Sequence, residues 1–112
     1  YHRDSVYHQG TVWPWLIGPF LSAYLRLHES SLAASRRANE ILAGFEDHLA
    51  EAGLGQVSEI LDADVPHTPR GCIAQAWSVS ELLRIAVEIA QLQKKASLPA
   101  RTPPRQTHVT SN

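Results

Sequence analysis

Hydrophobic residues recur at helical spacing between residues 16 and 27, on one face of a predicted helix that follows Thr11. Pro14 falls in the first turn of this helix, where its missing N–H leaves no hydrogen bond unmade. Gly18 and Pro19 interrupt the pattern, so we predict a kink or a delayed helix start there. The apolar positions are Leu16, Ile17, Phe20, Leu21, Tyr24 and Leu27.

Two further helices are predicted, from about residue 31 to 52 and from about residue 73 to 93. The first has an apolar stripe and places Gly53 as its C-terminal cap. The second has a wide apolar face. No segment shows the strict alternation of a strand, so the sequence predicts an all-α chain. The apolar positions are Ala34, Ala38, Ile41, Leu42, Phe45 and Leu49 in the first, and Ile73, Trp77, Leu82, Ile85 and Ile89 in the second.

A long segment, residues 53–71, separates these two predicted helices. Loops of this length in compact domains are usually functional or disordered. This one mixes the apolar Ile60 and Leu61 with Glu59, Asp62 and other charged residues, so it is not of low complexity. We therefore predict an ordered loop that crosses a functional site.

The helical pattern ends near Lys94, which divides the chain into residues 1–93 and a flexible tail, residues 94–112. The tail contains four basic residues, no acidic residue, and Pro99, Pro103 and Pro104. Such a composition cannot bury a core. The preceding residues carry six basic and eleven acidic groups. This acidic balance argues against nucleic acid as a partner.

The start of the chain and its single cysteine bear on whether it is part of a larger protein and on where it is located. The sequence has no Met and begins at Tyr1, so we expect part of a larger protein or a processed one. Cys72 has no partner cysteine, which suits a reducing compartment, and we expect a cytoplasmic location. Residues 1–4 do not begin a signal peptide, and no apolar stretch could span a bilayer, so no membrane association is expected.

Polar side chains lie beside aromatic ones between Tyr7 and Trp15, at a predicted loop-to-helix junction. Sugars require this combination, because their hydroxyls need directed polar partners and their C–H faces stack on aromatic rings. The competing interpretation is structural: Thr11 caps the helix and the aromatic rings enter the core. Composition alone favours the structural interpretation.

Glu59 lies between Ser58 and Ile60 in the long loop. This position makes it a candidate for a carboxylate whose proton affinity is adjusted by its surroundings, and a surface or capping role is the alternative.

Arg70 has three possible acidic partners, and His67 could contact a substrate or a backbone carbonyl. We predict that Cys72 is a small buried apolar side chain. No pattern has metal-ligand spacing and no phosphate-binding loop is present, so we expect no metal and no cofactor. The acidic candidates for Arg70 are Asp62, Asp64 and Glu59.

Three runs, taken together and in this order, resemble the C-terminal region of bacterial and archaeal glycogen debranching enzymes of the amylo-α-1,6-glucosidase type. They are YHQGTVWPWLIGPF at 7–20, VSEI at 57–60 and PHTPRGCIAQAWSV at 66–79. The resemblance covers roughly residues 1–90. The order and spacing of the three runs make the resemblance far more specific than any single run would.

The resemblance implies an (α/α)6 barrel, of which about three helices would lie in this chain. It also implies inverting hydrolysis of α-1,6-linked glucose by two carboxyl groups. Glu59 occupies the position of the general base. The partners implied are glycogen or limit dextrin and the rest of the barrel. Gln75 and Trp77 would lock the loop to the last helix, and the residues implied to line the glucose pocket are Tyr7, His8, Gly10, Thr11 and Trp13.

The general acid implied by the resemblance lies well upstream, and Asp4 is too close to the His-Gln-Gly-Thr run to be that acid. We therefore expect the chain alone to have no glucosidase activity. Two alternatives remain open at this point. The chain could belong to another (α/α)6 hydrolase, such as a glucoamylase or trehalase, in which Glu59 keeps its role. It could also be a non-catalytic helical module that binds a glycan or a partner chain.

Overall fold

The computed structural model describes residues 5–98, and the chain is predominantly helical over this range. A short 3-10 turn precedes four α-helices, and a two-stranded hairpin lies between the third and fourth helices. The bounds are Pro14–Leu16 for the 3-10 turn, Ile17–Leu27 for α1, Leu32–Ala43 for α2, Glu46–Glu51 for α3, Ile60–Leu61 for β1, Pro69–Arg70 for β2 and Ala76–Ser97 for α4.

The first helix has the delayed start that Gly18 and Pro19 predict. Pro14 opens the 3-10 turn, and α1 begins only at Ile17, so Pro19 falls in the first turn, where its missing N–H costs no bond. Thr11 is not a helix cap, because the residue at the cap position before the 3-10 turn is Trp13. Trp13 makes no side-chain capping bond. The structural interpretation of Thr11 is therefore wrong.

The prediction of a single helix from residue 31 to 52 is wrong, because two shorter helices, α2 and α3, occupy this range. Ser31 caps α2 by accepting a 3.2 Å hydrogen bond from the Ala34 N–H. The helix stops at Gly44, a residue of low helix propensity, and α3 follows after Phe45. Gly53 adopts φ +67°, the left-handed conformation expected of a residue just beyond a helix end.

Helix α4 forms the centre of the fold, packing against α1 and α2. It begins three residues later and ends four residues later than the pattern predicts, so it crosses the predicted tail boundary. Lys94 and Lys95 lie in its last turn, where positive charge interacts favourably with the helix dipole. From Pro99 onward, the predicted tail lies outside the described residues. The buried core comprises Leu21, Leu25, Ala34, Ala38, Ile85 and Ile89.

A polar bridge joins α1 to α4 at the edge of this core. Ser22 donates a 3.0 Å hydrogen bond to Glu88, and Arg84 donates to both the Ser22 hydroxyl and Glu88. Arg84 also donates to Glu81, and this hydrogen bond, ahead of the other causes, raises the pKa of the guanidinium above its ordinary value. The helices approach closely here, since Gly18 lies directly against Glu81.

The predicted ordered loop contains a short antiparallel hairpin that the sequence pattern did not reveal. Ile60 pairs with Arg70 and Leu61 with Pro69, and Leu61 also exchanges two backbone hydrogen bonds with Val12. Strands of two residues are too short to show alternation, which explains why none was predicted. Within residues 5–98, no helix has the length and apolar character needed to cross a bilayer.

Candidate functional site

The hairpin fixes Glu59, the residue immediately before β1. Val57, Ser58 and Ile60 are almost completely buried, whereas Glu59 is only half-buried. The Glu59 N–H donates to the Cys72 carbonyl at 2.8 Å, and the Glu59 carboxylate accepts from the Cys72 N–H at 3.0 Å. The carboxylate is therefore partly accessible, while the backbone around it is held by buried neighbours.

Tyr7 reaches the same place from the N-terminal segment. A methyl group built on Gly71 would lie 2.9 Å from the Tyr7 hydroxyl oxygen and would overlap the Glu59 carboxylate. The Tyr7 hydroxyl and the Glu59 carboxylate thus converge on the bare Cα of Gly71. The structure brings together two residues that lie far apart in the sequence and that were predicted to belong to one site.

The aromatic side chains of the N-terminal segment form a continuous cluster beside this carboxylate. His8 stacks on Trp13 with ring centroids 5.1 Å apart, and Tyr7 meets the edge of Trp13 at 5.4 Å. The Trp13 indole N–H donates to the Tyr7 carbonyl at 3.3 Å. Trp77, at the start of α4, contacts both Trp13 and Trp15. The cluster therefore joins the N-terminal segment to the last helix.

Gly10 and Thr11 line a different depression, of about 360 Å³, between the N-terminal segment and the tip of the hairpin. Gly10 has φ +91° and open space where a side chain would stand. Asp62 and Asp64 also line this depression, and Glu59 does not. The structure therefore places the five predicted sugar-lining residues in two adjoining groups, with Tyr7, His8 and Trp13 in the aromatic one.

The residues around the hairpin adopt structural roles. Arg70 selects Asp62 from its three possible partners and pairs with it at 2.9 Å. His67 Nδ1 lies 3.1 Å from the Asp62 carbonyl oxygen, which fits the backbone alternative for this histidine. The Gln75 N–H donates to the Val57 carbonyl at 2.9 Å, which fastens the loop to α4.

The predicted burial of Cys72 is wrong, since its side chain is exposed. Helix α4 begins only at Ala76, so Cys72 lies on the connecting loop and not on the apolar face of the helix. Its Sγ makes a 3.4 Å contact with the Ala74 carbonyl oxygen. The backbone of Cys72, through its bonds to Glu59, matters more to the site than the thiol.

His48 supports the Glu59 segment and was not identified from the sequence. It is 7% exposed, and its Nε2 accepts a 3.2 Å hydrogen bond from the Ser58 N–H. This bond requires an unprotonated Nε2, so the ring proton of the neutral form lies on Nδ1. The one sequence signal was its position between Phe45 and Leu49, on the stripe side of the helix, which is equally typical of a structural histidine.

Replacing His48 by Phe is expected to lower the free energy of unfolding by about 1–3 kcal/mol, because the buried Ser58 N–H loses its acceptor. Replacement by Gln supplies a side-chain oxygen at a similar reach and should cost distinctly less. Urea unfolding of the three proteins measures the difference. Equal losses for the Phe and Gln variants would show that the hydrogen bond is not what stabilises the segment.

An apolar depression of about 380 Å³ lies between α2, α3 and α4, away from Glu59. Its wall is mainly aliphatic and includes Leu42, Leu49 and Leu82, so it offers few groups that could orient a sugar. Among the residues that the structure describes, no three His, Cys, Asp or Glu side chains are grouped so as to hold a metal ion.

Comparison with known proteins gives one positive result. A family model described as amylo-alpha-1,6-glucosidase matches residues 1–84, a range that includes the N-terminal aromatic segment, the hairpin and the first part of α4. Neither the curated proteins nor the solved structures yield a match.

Proposed function

The chain belongs to the amylo-alpha-1,6-glucosidase family, and we propose that it supplies the general base and part of the sugar pocket of an inverting α-1,6-glucosidase. The substrate is the α-1,6 branch linkage of glycogen or limit dextrin. One observation carries this proposal: a half-buried carboxylate, Glu59, is fixed by the Cys72 N–H beside the Tyr7 hydroxyl and an aromatic cluster.

The geometry suits the task of a base in an inverting mechanism. Such a base removes a proton from the water that attacks the anomeric carbon from the face opposite the leaving oxygen. Glu59 Oε2 accepts the Cys72 N–H, which restricts the orientation of the carboxylate. We assign the other carboxylate oxygen to the attacking water, because a carboxylate has enough lone pairs to accept both hydrogen bonds.

The aromatic cluster supplies the complementary sugar contacts. We assign the apolar C–H face of glucose to the aromatic cluster that contains Trp13, and the Tyr7 hydroxyl and the exposed His8 ring offer hydrogen-bonding groups to its hydroxyls. Gly10 and Thr11 line the adjoining polar depression, where the bare Gly10 leaves room for a ligand. Together these five residues form part of the pocket for the terminal glucose.

We assign the general acid to a part of an (α/α)6 barrel outside these 112 residues. Asp62, the next carboxylate along the hairpin, is engaged by Arg70 in an ion pair and is poorly suited to give a proton to a leaving oxygen. The principal partner of the chain is then the rest of the barrel. We place this assembly in the cytoplasm, where Cys72 remains a free thiol.

The isolated chain is expected to bind an α-1,6-linked disaccharide weakly and to release no glucose from limit dextrin. Its three tryptophans, Trp13, Trp15 and Trp77, all belong to the aromatic cluster, so tryptophan fluorescence reports on this site directly. Titration with isomaltose should quench the fluorescence more strongly than titration with maltose. Glucose release is measured in the same samples.

Tyr7→Phe and Tyr24→Phe form a matched pair of variants for this titration. Loss of the Tyr7 hydroxyl should weaken the response, whereas Tyr24 packs beside the helical core and its change should leave the response unaltered. Glucose release by the isolated chain would contradict the proposal that the general acid lies outside these 112 residues. Equal quenching by maltose would contradict a preference for the α-1,6 linkage, stronger quenching by maltose would favour an α-1,4-type hydrolase, and no response to either sugar would contradict the pocket.

A further inference from the structure

The geometry points to Gly71 and Cys72 as the residues that position the Glu59 carboxylate, an inference that rests on the proposed role of Glu59 as base. Neither residue offers its side chain to the reaction. Gly71 provides empty space, and Cys72 provides its backbone N–H and carbonyl.

Two hydrogen bonds connect Glu59 and Cys72 in opposite directions. The Glu59 backbone N–H donates to the Cys72 carbonyl at 2.8 Å, and the Cys72 N–H donates to Glu59 Oε2 at 3.0 Å. The backbone and the carboxylate of Glu59 are thus held by one residue. This arrangement restricts the rotation of a side chain that would otherwise lose considerable conformational freedom on ordering.

The hairpin register changes by one residue at this point. Ile60 pairs with Arg70, so continued pairing would set Glu59 opposite Gly71, yet the Glu59 N–H bonds to Cys72. Gly71 has φ +66°, the left-handed conformation found in glycine-type β-bulges. Such bulges redirect a side chain, and here the change of register brings the Cys72 N–H within reach of the Glu59 carboxylate.

Gly71 is also required because its missing side chain leaves the space that Glu59 and Tyr7 occupy. A methyl group there would overlap Glu59 Oε2, lie 3.1 Å from Glu59 Cβ and approach the Tyr7 hydroxyl to 2.9 Å. The Cβ of Glu59 cannot move away as the end of a flexible side chain could. Any larger residue at position 71 therefore displaces the carboxylate from the Cys72 N–H and from Tyr7.

The test follows the backbone amide of Cys72 in the full chain by ¹H–¹⁵N NMR from acidic to neutral pH. A carboxylate accepts a stronger hydrogen bond than a carboxylic acid, so the Cys72 amide proton should move downfield as Glu59 ionises. Glu59→Gln should remove this shift. Gly71→Ala should also remove it, because the methyl group displaces the carboxylate.

Gly55→Ala is the matched control, because Gly55 has φ +78° with nothing within 4 Å of the place for a side chain. It carries the same backbone strain as Gly71→Ala without the collision, and the Cys72 shift should persist. Cys72→Ala keeps the N–H, so the amide shift should remain at residue 72. Loss of the shift in Cys72→Ala would show that the thiol, and not the backbone N–H alone, is needed to position the carboxylate.

Persistence of the Cys72 shift in Glu59→Gln or Gly71→Ala would overturn the inference, as would its loss in Gly55→Ala. The comparison of the unaltered chain with Glu59→Gln decides the matter even if Gly71→Ala does not fold. The outcome is separate from that of the proposed function. If Glu59 is positioned as inferred but is not the base, the unaltered chain would show the Cys72 shift, whereas an active glucosidase containing the Glu59→Gln chain would hydrolyse limit dextrin at the unaltered rate.

Discussion

Replacing Glu59 by Gln in an active glucosidase that contains this chain is expected to lower kcat for glucose release from limit dextrin by about 10²–10⁴-fold, the usual contribution of a positioned base. The substitution keeps the size of the side chain but removes its ability to accept a proton. The amide oxygen can still accept the Cys72 N–H, so the hairpin should keep its structure. KM should change far less than kcat, because the loss falls on the chemical step.

A substrate with an activated leaving group distinguishes a base from an acid at position 59. The fluoride of α-glucosyl fluoride departs without the full protonation that a sugar oxygen needs, so loss of the acid affects this substrate little. Loss of the base slows attack by water on either substrate. Glu59→Gln should therefore impair hydrolysis of both limit dextrin and α-glucosyl fluoride.

Asp47→Asn is the control for loss of a carboxylate elsewhere in the chain. Asp47 is exposed on α3 and lines neither depression, and its neutralisation should leave kcat on both substrates within about twofold, since surface changes away from special features have small effects. Normal hydrolysis of α-glucosyl fluoride by Glu59→Gln would show that Glu59 is not the base. Unchanged activity on both substrates would favour a non-catalytic module.

Helical periodicity predicted the parts of the fold that bury a regular face. The predicted segments for α1 and α4 exist because their apolar positions meet in one core, where Leu25 and Ile85 are fully buried. The same periodicity could not show the break after Ala43, because the apolar stripe continues through Phe45 and Leu49 beyond it. The break depends on the local preference of Gly44, which periodicity does not register.

The candidate site was predicted by residue type and order, but its geometry depends on contacts between segments distant in sequence. Glu59 and Tyr7 were singled out from the sequence alone. The roles of His48 and Gly71 follow from tertiary structure: His48 on α3 supports Ser58 in the loop before β1, and Gly71 leaves room for two side chains. A glycine in a loop or a histidine near an apolar stripe gives no sign of such a contact until the chain is folded.

Replacing Ile60 by Ala is expected to lower the free energy of unfolding by about 2–5 kcal/mol, the range for truncating a large buried aliphatic side chain. Ile60 is 0% exposed and is the residue that directly follows Glu59. Its burial anchors β1, whereas the neighbouring Leu61 is only half-buried. The loss combines the removed apolar contact with the cavity that the surrounding structure cannot fully close.

Val65→Ala is the matched control, because Val65 belongs to the same hairpin segment but is 82% exposed. Its truncation should change stability by no more than about 0.5 kcal/mol in urea unfolding. Hydrogen exchange of the Leu61 amide, which bonds to Val12, then shows where the Ile60 variant is weakened. If that amide exchanges faster relative to the amides of α4, Ile60 holds the hairpin that carries Glu59. A loss below about 1 kcal/mol would show that the hairpin is held by its backbone bonds alone, and the position of the proposed base would then depend on Cys72 and Val12 rather than on the core.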